Sequence, residues 1–250
     1  MPARSGQGRA AAAASVPSDP ACEDHAIATI DEALDEFLAA QKARLAPSTY
    51  ARYADIVSLL RDHLNGYAYQ ALNRAEQRRW EQASAGEAEG AYCAIFGPER
   101  IPGEIGSFLG YFMVRKVIAG AELLKAAGTV TKKLARWLHE HGYIDAESAA
   151  DVTEQAADAG RELPAAARLS DLLTDVSMRT SPAGIDEDSV IEDTLAITRI
   201  EPGKLWFGGH GPLVVPAQAS DIAQLGWEVY VALVDHRGRW WLLENGAVYP

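Results

Sequence analysis

The sequence predicts an α+β fold: helices first, then a small C-terminal β-barrel of SH3-like or OB-like type. Three observations lead there. Apolar residues recur at three- and four-residue spacing from Ile27 to about Val176, the period of a helix with one buried face. After Asp193 that period gives way to short alternating runs separated by Gly- and Pro-containing turns. Between them, Ser181 to Asp193 holds Pro182, Gly184 and five acidic residues, the composition of an exposed linker. The chain therefore divides into a disordered tail (1–23), a helical domain (24–145), an acidic helical linker (146–193) and a small β-barrel domain (194–250).

Each element has its own signal. Thr29 followed by Glu32 is a capping-box pattern, and Ile30, Leu34, Phe37 and Leu38 supply the stripe of a helix ending near Arg44. Pro47-Ser48-Thr49 opens a second helix with Ser48 or Thr49 as N-cap; Tyr53, Ile56, Val57, Leu60 and Leu64 face one way, and Asn65-Gly66 closes it. Residues 69–83 are helical and polar, and a Gly- and Glu-containing loop follows at 86–90. Residues 104–118 form an apolar helix, 120–127 a short helical turn, and Thr129–His141 an amphipathic helix carrying Val130, Leu134, Trp137 and Leu138 inward. The Ala- and acid-rich stretch 146–176 has helical spacing interrupted near Gly160 and Pro164. Strands are expected at 195–200, 204–207, 213–215, 227–234 and 239–244. Asn245-Gly246 is expected as a hairpin turn before Val248-Tyr249.

Composition narrows the function classes. The chain has 250 residues and a formal net charge of -12, which disfavours a generic polyanion binder. The charge is uneven: residues 24–147 carry 14 Lys/Arg against 17 Asp/Glu, and residues 148–250 carry 7 against 16. The helical half is near neutral and retains room for a basic face. Cys22 and Cys93 are far apart and outside any metal-ligand spacing, which points to a reducing compartment. The Ala-rich N-terminus lacks the core of a signal peptide, and no run approaches the ~20 apolar residues of a membrane span. A cytoplasmic location without a membrane partner is expected.

Two segments carry a resemblance. One is Leu45-Ala-Pro-Ser-Thr-Tyr-Ala-Arg-Tyr with the apolar helix to Leu64. The other is Ile105-x-x-Phe108-Leu109-x-Tyr111, then Thr129-Val-Thr-Lys-Lys-Leu-Ala-Arg-Trp-Leu and Gly142-Tyr-Ile. Together they resemble the N-terminal SAM-like, core-binding domain of tyrosine recombinases (phage integrases). The likeness covers residues 24–145, with 67–100 and 119–128 longer than the family pattern. It implies a SAM-like helical bundle that clasps duplex DNA. The family's catalytic half, a further helical domain with a nucleophilic Tyr, has no counterpart, since an acidic linker and a small β-barrel are expected after residue 145. A non-enzymatic, integrase-like DNA-binding protein is therefore expected.

The candidate DNA contacts are Ser48, Thr49 and Arg52 at one helix start and Thr129, Thr131, Lys132, Lys133 and Arg136 at another. Backbone N–H groups at a helix N-terminus favour phosphate, and Lys132 and Arg136 share a face. The competing reading makes Ser48 and Thr129 plain N-caps and the cations a solvated face. No catalytic residue, cofactor or metal ligand is expected. His139-Glu140-His141 lacks the i, i+4 spacing of a helical zinc pair, and the Gly208-Gly209-His210-Gly211 loop lacks the Lys-Ser/Thr of a P-loop. Trp206, Trp240, Trp241 and Tyr249 make the barrel aromatic-rich, as a stacking platform for bases or a groove for a protein partner would be. A protein-interaction or regulatory module that docks through the barrel is the alternative function.

Overall fold

The computed structural model describes residues 28–85, 91–115, 120–179, 182 and 184–250. The tail 1–23 and the loop 86–90 lie outside them. Helices come first and a five-stranded antiparallel sheet last, so the chain is α+β.

Helix α1 (Ile30–Lys42) starts with the expected capping box: the Glu32 backbone N–H donates to Thr29 Oγ1, and the Thr29 N–H donates to the Glu32 carboxylate. Helix α2 (Pro47–Tyr67) differs from expectation at both ends. Its N-cap is Ala46, with Pro47 in the first turn, so Ser48 and Thr49 lie inside the helix rather than capping it. At the other end it continues through Asn65-Gly66 to Tyr67 because its buried stripe extends to Leu64.

Helix α3 (Arg74–Ser84) is capped by Asn73, and the short α4 (Ala91–Ile95) contributes the buried Tyr92 and Cys93. Helix α5 (Ile101–Ser107) runs on through a π-helical turn (Phe108–Phe112) into α6 (Met113–Arg115). Helix α7 (Ala121–Glu140) unites the two pieces expected at 120–127 and 129–141.

Helix α8 (Ala146–Ser177) departs most from the sequence reading. It is continuous through Gly160 and Pro164 for 32 residues. Its apolar face is buried along its whole length, so residues 146–177 are packed structure rather than a linker. Ala149, Val152, Ala156, Ala159 and Leu163 join the core of the helical bundle. From Ala166, through Leu169, Leu172, Leu173 and Val176, the same helix faces the core of the sheet. Tertiary burial overrides the two helix breakers. Pro164, which cannot donate to the Gly160 carbonyl, stands where the helix passes from one core to the other.

The strands are β1 (Ile191–Glu201), β2 (Lys204–Phe207), β3 (His210–Val214), β4 (Glu228–His236) and β5 (Arg239–Tyr249), in the sheet order β3-β2-β1-β4-β5. The first half of β1 pairs with β4 and its second half with β2. Helix α9 (Ala217–Ile222) lies between β3 and β4 in a stretch the sequence reading left without an element. Asn245-Gly246 is not a hairpin turn. It lies within β5, where the register slips between Val229 and Val231 of the partner strand. The reason is on α8: the Ser170 hydroxyl donates to the Gly246 carbonyl, and the Asn245 amide donates to the Ser170 carbonyl.

Sheet and bundle also meet at Tyr249, whose ring lies 6.4 Å from that of Tyr111 and whose hydroxyl accepts from Arg115 at 3.3 Å. No helix among the described residues is long and apolar enough to cross a membrane.

Candidate nucleic-acid interface

The helical surface nominated by the sequence is only partly assembled. Ser48, Thr49 and Arg52 are exposed in the first two turns of α2. Arg52 reaches Glu122 at 3.9 Å, an exposed pair that holds its guanidinium only weakly. The second group is changed by the length of α7. Thr129 is in mid-helix, where its hydroxyl donates to the Lys125 carbonyl at 3.2 Å, so no free backbone donors surround it. Thr131 is 1% exposed and faces the core, which removes it from any phosphate surface. Lys132 is half-buried, whereas Lys133 and Arg136 are exposed. Glu122, beside Arg52, precedes Lys132–Arg136 by 10 to 14 residues, roughly 15–21 Å along the helix axis. The two groups therefore do not converge at one helix end.

A second cationic surface lies on the sheet. Half-buried Trp206 projects outward from β2 between the inward-facing Leu205 and Phe207. The Arg199 guanidinium sits 4.6 Å from its ring centroid, within cation–π range. Arg199 is further held by an ion pair with Glu201, which also meets Lys204 at 3.7 Å. The register slip between Ile197 and Arg199 turns Arg199 toward the indole while Ile197 stays in the core. Beneath Trp206 is Gly211, where a Cβ would lie 2.7 Å from the ring. Only glycine permits this approach. Thr198 completes the patch by accepting the Gly209 N–H at 3.2 Å.

At one end of this surface the His210 and Trp240 rings are 5.5 Å apart, which brings the edge strands β3 and β5 together. Trp240 and Trp241 point to opposite faces, as adjacent strand residues must. Trp241 carries Arg239 at 4.3 Å on the other face. Tyr249, grouped with these aromatics from the sequence, instead packs on the helical domain.

Charge is distributed differently from the halves of the sequence. Residues 146–193 hold three Lys/Arg and twelve Asp/Glu, whereas residues 194–250 hold four against five. The acidity belongs to α8 and the segment after it, and the sheet itself is near neutral.

Sequence reasoning passed over one cluster altogether. His63 of α2 is 2% exposed, and its Nε2 lies 2.9 Å from Ser107 Oγ and 3.6 Å from a Glu104 carboxylate oxygen. Burial lowers its pKa to about 4, so the ring is neutral at physiological pH. The available signal was His63 standing three residues after Leu60 on the apolar stripe of α2. Its partners Glu104 and Ser107 are remote in sequence and carry no motif. Cys93 offers no nucleophile, since burial pushes its thiol up to about 12. His139 and His141 are engaged by the carbonyls of Ile144 and Trp137 at 3.1 and 2.8 Å.

Comparison with family models, with curated proteins and with solved structures finds no match.

Proposed function

We propose that this chain is a non-catalytic DNA-binding protein that holds single-stranded DNA on the Arg199–Trp206 face of its C-terminal sheet. The observation that carries the reading is the outward indole of Trp206, capped by Arg199 and seated on Gly211. With Gly211 beneath the ring and the Arg199 guanidinium above it, a base stacks on the outer plane of the guanidinium, which the indole holds flat, and a phosphate meets the same cation. The strand order, the division of β1 between two partners and the helix between β3 and β4 fit an OB-type barrel. In that architecture the surface of β2 and β3 takes oligonucleotides. The near-neutral charge of residues 194–250 supports the assignment, since Arg199 and Lys204 are not overwhelmed locally. Within this reading the helical bundle, with its SAM-like core-binding resemblance, adds Ser48, Thr49 and Arg52 as a secondary contact, along with Lys133 and Arg136.

Fluorescence anisotropy with a labelled single strand of about 16 nucleotides, the upper site size of one OB fold, tests the proposal. Binding should weaken as salt rises. Trp206→Ala should cost about 1–3 kcal/mol of affinity. Arg199→Ala should lower the slope of log affinity against log salt by about 0.7. Lys133→Ala/Arg136→Ala should have the smaller effect. Unchanged binding in Trp206→Ala, or a stronger loss in the helical double variant, would move the site back to the bundle.

A second reading, a protein-docking module, draws on Val214, which is 49% exposed on edge strand β3 beside the same face. In that case the single strand does not bind at low salt.

A further inference from the structure

Between α2 and α5 lies an open cavity of about 520 Å³, large enough for a small ligand and separate from the sheet surface. Its walls include His63, Tyr67, Gln70, Glu104, Ser107 and Tyr111. The site is built on regular elements. Tyr67 stacks on His63 at 5.5 Å, and Phe112 packs edge-on to both rings at 5.3 and 5.8 Å. The π-helical turn after Ser107 places Phe108 and Phe112 on this inner side and leaves Tyr111 exposed at the mouth.

Two chemistries fit a serine beside a histidine, and the geometry separates them. In a nucleophilic pair the base must accept the serine proton and have its second nitrogen oriented by an acceptor. Here the second nitrogen, Nδ1, is buried and has no hydrogen-bond partner among the described residues. A proton on Nδ1 would have no acceptor, and burial already holds the ring at a pKa of about 4. Ser107 is therefore not an activated nucleophile.

The remaining feature is Glu104. Its side chain is 16% exposed, and its nearest nitrogen base is the neutral His63. No Lys or Arg pairs with it among the described residues, since Arg100, four residues earlier, is taken up by Glu76. A carboxylate in a cavity wall, with no protein cation on it, is a fitting partner for a bound cation. Tyr67 and Tyr111 line the same cavity and give it an apolar wall beside the carboxylate.

We infer that this cavity binds a small organic ammonium ion, with its charged nitrogen on the Glu104 carboxylate and its hydrocarbon part against Tyr67 and Tyr111. Ser107 donates to the Glu104 carboxylate at 3.4 Å and keeps it oriented. Gln70, exposed at the rim, offers an amide to any polar group at the far end of the ligand. The inference does not depend on DNA binding.

Benzylamine, benzyl alcohol and benzoate have one shape and three charges. Titrating each into the full-length protein, with the His63 ring followed by NMR at neutral pH, tests the inference. Benzylamine should shift the His63 signals with a millimolar or tighter dissociation constant, and the other two should not. Glu104→Gln should weaken benzylamine at least about tenfold, the order expected for losing a charged hydrogen bond. Tyr111→Leu, at a position 44% exposed, should weaken it several-fold, with an unchanged urea midpoint in the absence of ligand checking that the fold is kept. Equal binding of benzyl alcohol, preferred binding of benzoate, no shift with benzylamine, or benzylamine affinity indifferent to both substitutions would each overturn it.

Discussion

At the scale of single residues, His63 carries a pH dependence whose sign follows from its burial. In the unfolded chain an imidazole titrates near 6.5, and in the folded protein this one titrates at about 4. Between those values the unfolded state takes up a proton that the folded state refuses. The stability associated with neutral His63 is complete above about pH 6.5 and is lost as pH falls toward 4. Over that window the loss amounts to about 3 kcal/mol. Urea unfolding of the wild type and of His63→Gln at several pH values between 4 and 7.5 isolates this contribution, because the other titrating groups are common to both. The wild type should lose stability more steeply with acid than the variant. Parallel curves would show that His63 is solvated when folded. Arg199 illustrates the same scale on the sheet: one register slip decides whether it faces the outward indole or, with Ile197, the core.

The elements owe their arrangement mainly to the crossing of α7 and α8. Gly128 and Gly160 meet there, and the closeness is asymmetric. A Cβ at Gly128 would stand 2.4 Å from the Ala156 carbonyl and 2.7 Å from the Gly160 Cα, against backbone that cannot move aside. A Cβ at Gly160 would meet only the Gly128 Cα at 3.8 Å, an ordinary contact. Gly128→Ala should therefore destabilise by about 1–3 kcal/mol through overpacking. Gly160→Ala should be neutral or stabilise by up to about 1 kcal/mol, from the better helix propensity of alanine. Chemical denaturation of the two variants should give opposite signs, and equal losses would place the closest approach elsewhere. The crossing also explains why α8 survives Gly160 and Pro164: burial of Ala156, Ala159 and Leu163 on one side and Leu169 and Leu173 on the other outweighs one missing hydrogen bond.

At the scale of the whole molecule, one helix serves two cores, so the helical and strand regions are expected to unfold together. Calorimetry of the full chain should show a single transition with van't Hoff and calorimetric enthalpies in agreement. Two resolved transitions would mean that the shared helix does not couple the regions. A fragment ending at residue 145 loses Ala149, Val152, Ala156, Ala159 and Leu163 from the bundle core and should unfold without cooperativity. Extending the fragment to residue 177 restores that core but leaves Leu169, Leu172, Leu173 and Val176 exposed, a predicted cause of aggregation. Limited proteolysis of the intact protein should spare α8 and cut first after it. Met178 is 79% exposed there, and among the described residues between α8 and β1 the regular structure is one 3₁₀ turn.

What the sequence determined by itself is what local chemistry controls. The Thr29 capping box, the stripes of α1 and α2 and the strand Lys204–Phe207 all appear where periodicity and turn residues put them, because neighbours in sequence supply the partners. The change from helices to strands is equally local, and so is the opposed orientation of Trp240 and Trp241. Tertiary structure decided the rest. A proline and a glycine argue for a break in α8 only while its face has nothing to bury against, and the turn residues Asn245-Gly246 became strand because Ser170, 75 residues earlier, supplies their hydrogen bonds. The candidate sites divide in the same way. Lys133 and Arg136 are exposed as their helix positions required, but Thr131 turned inward and Thr129 lost its helix end once α7 was one helix. Trp206 could be named from composition, whereas its contact with Arg199 required the bulge in β1. The cavity at His63, Glu104 and Ser107 left no motif at all, because side chains 41 and 44 residues apart meet only when α2 packs against α5. Spacing along a chain encodes which faces are apolar, and only packing chooses which of those faces meet.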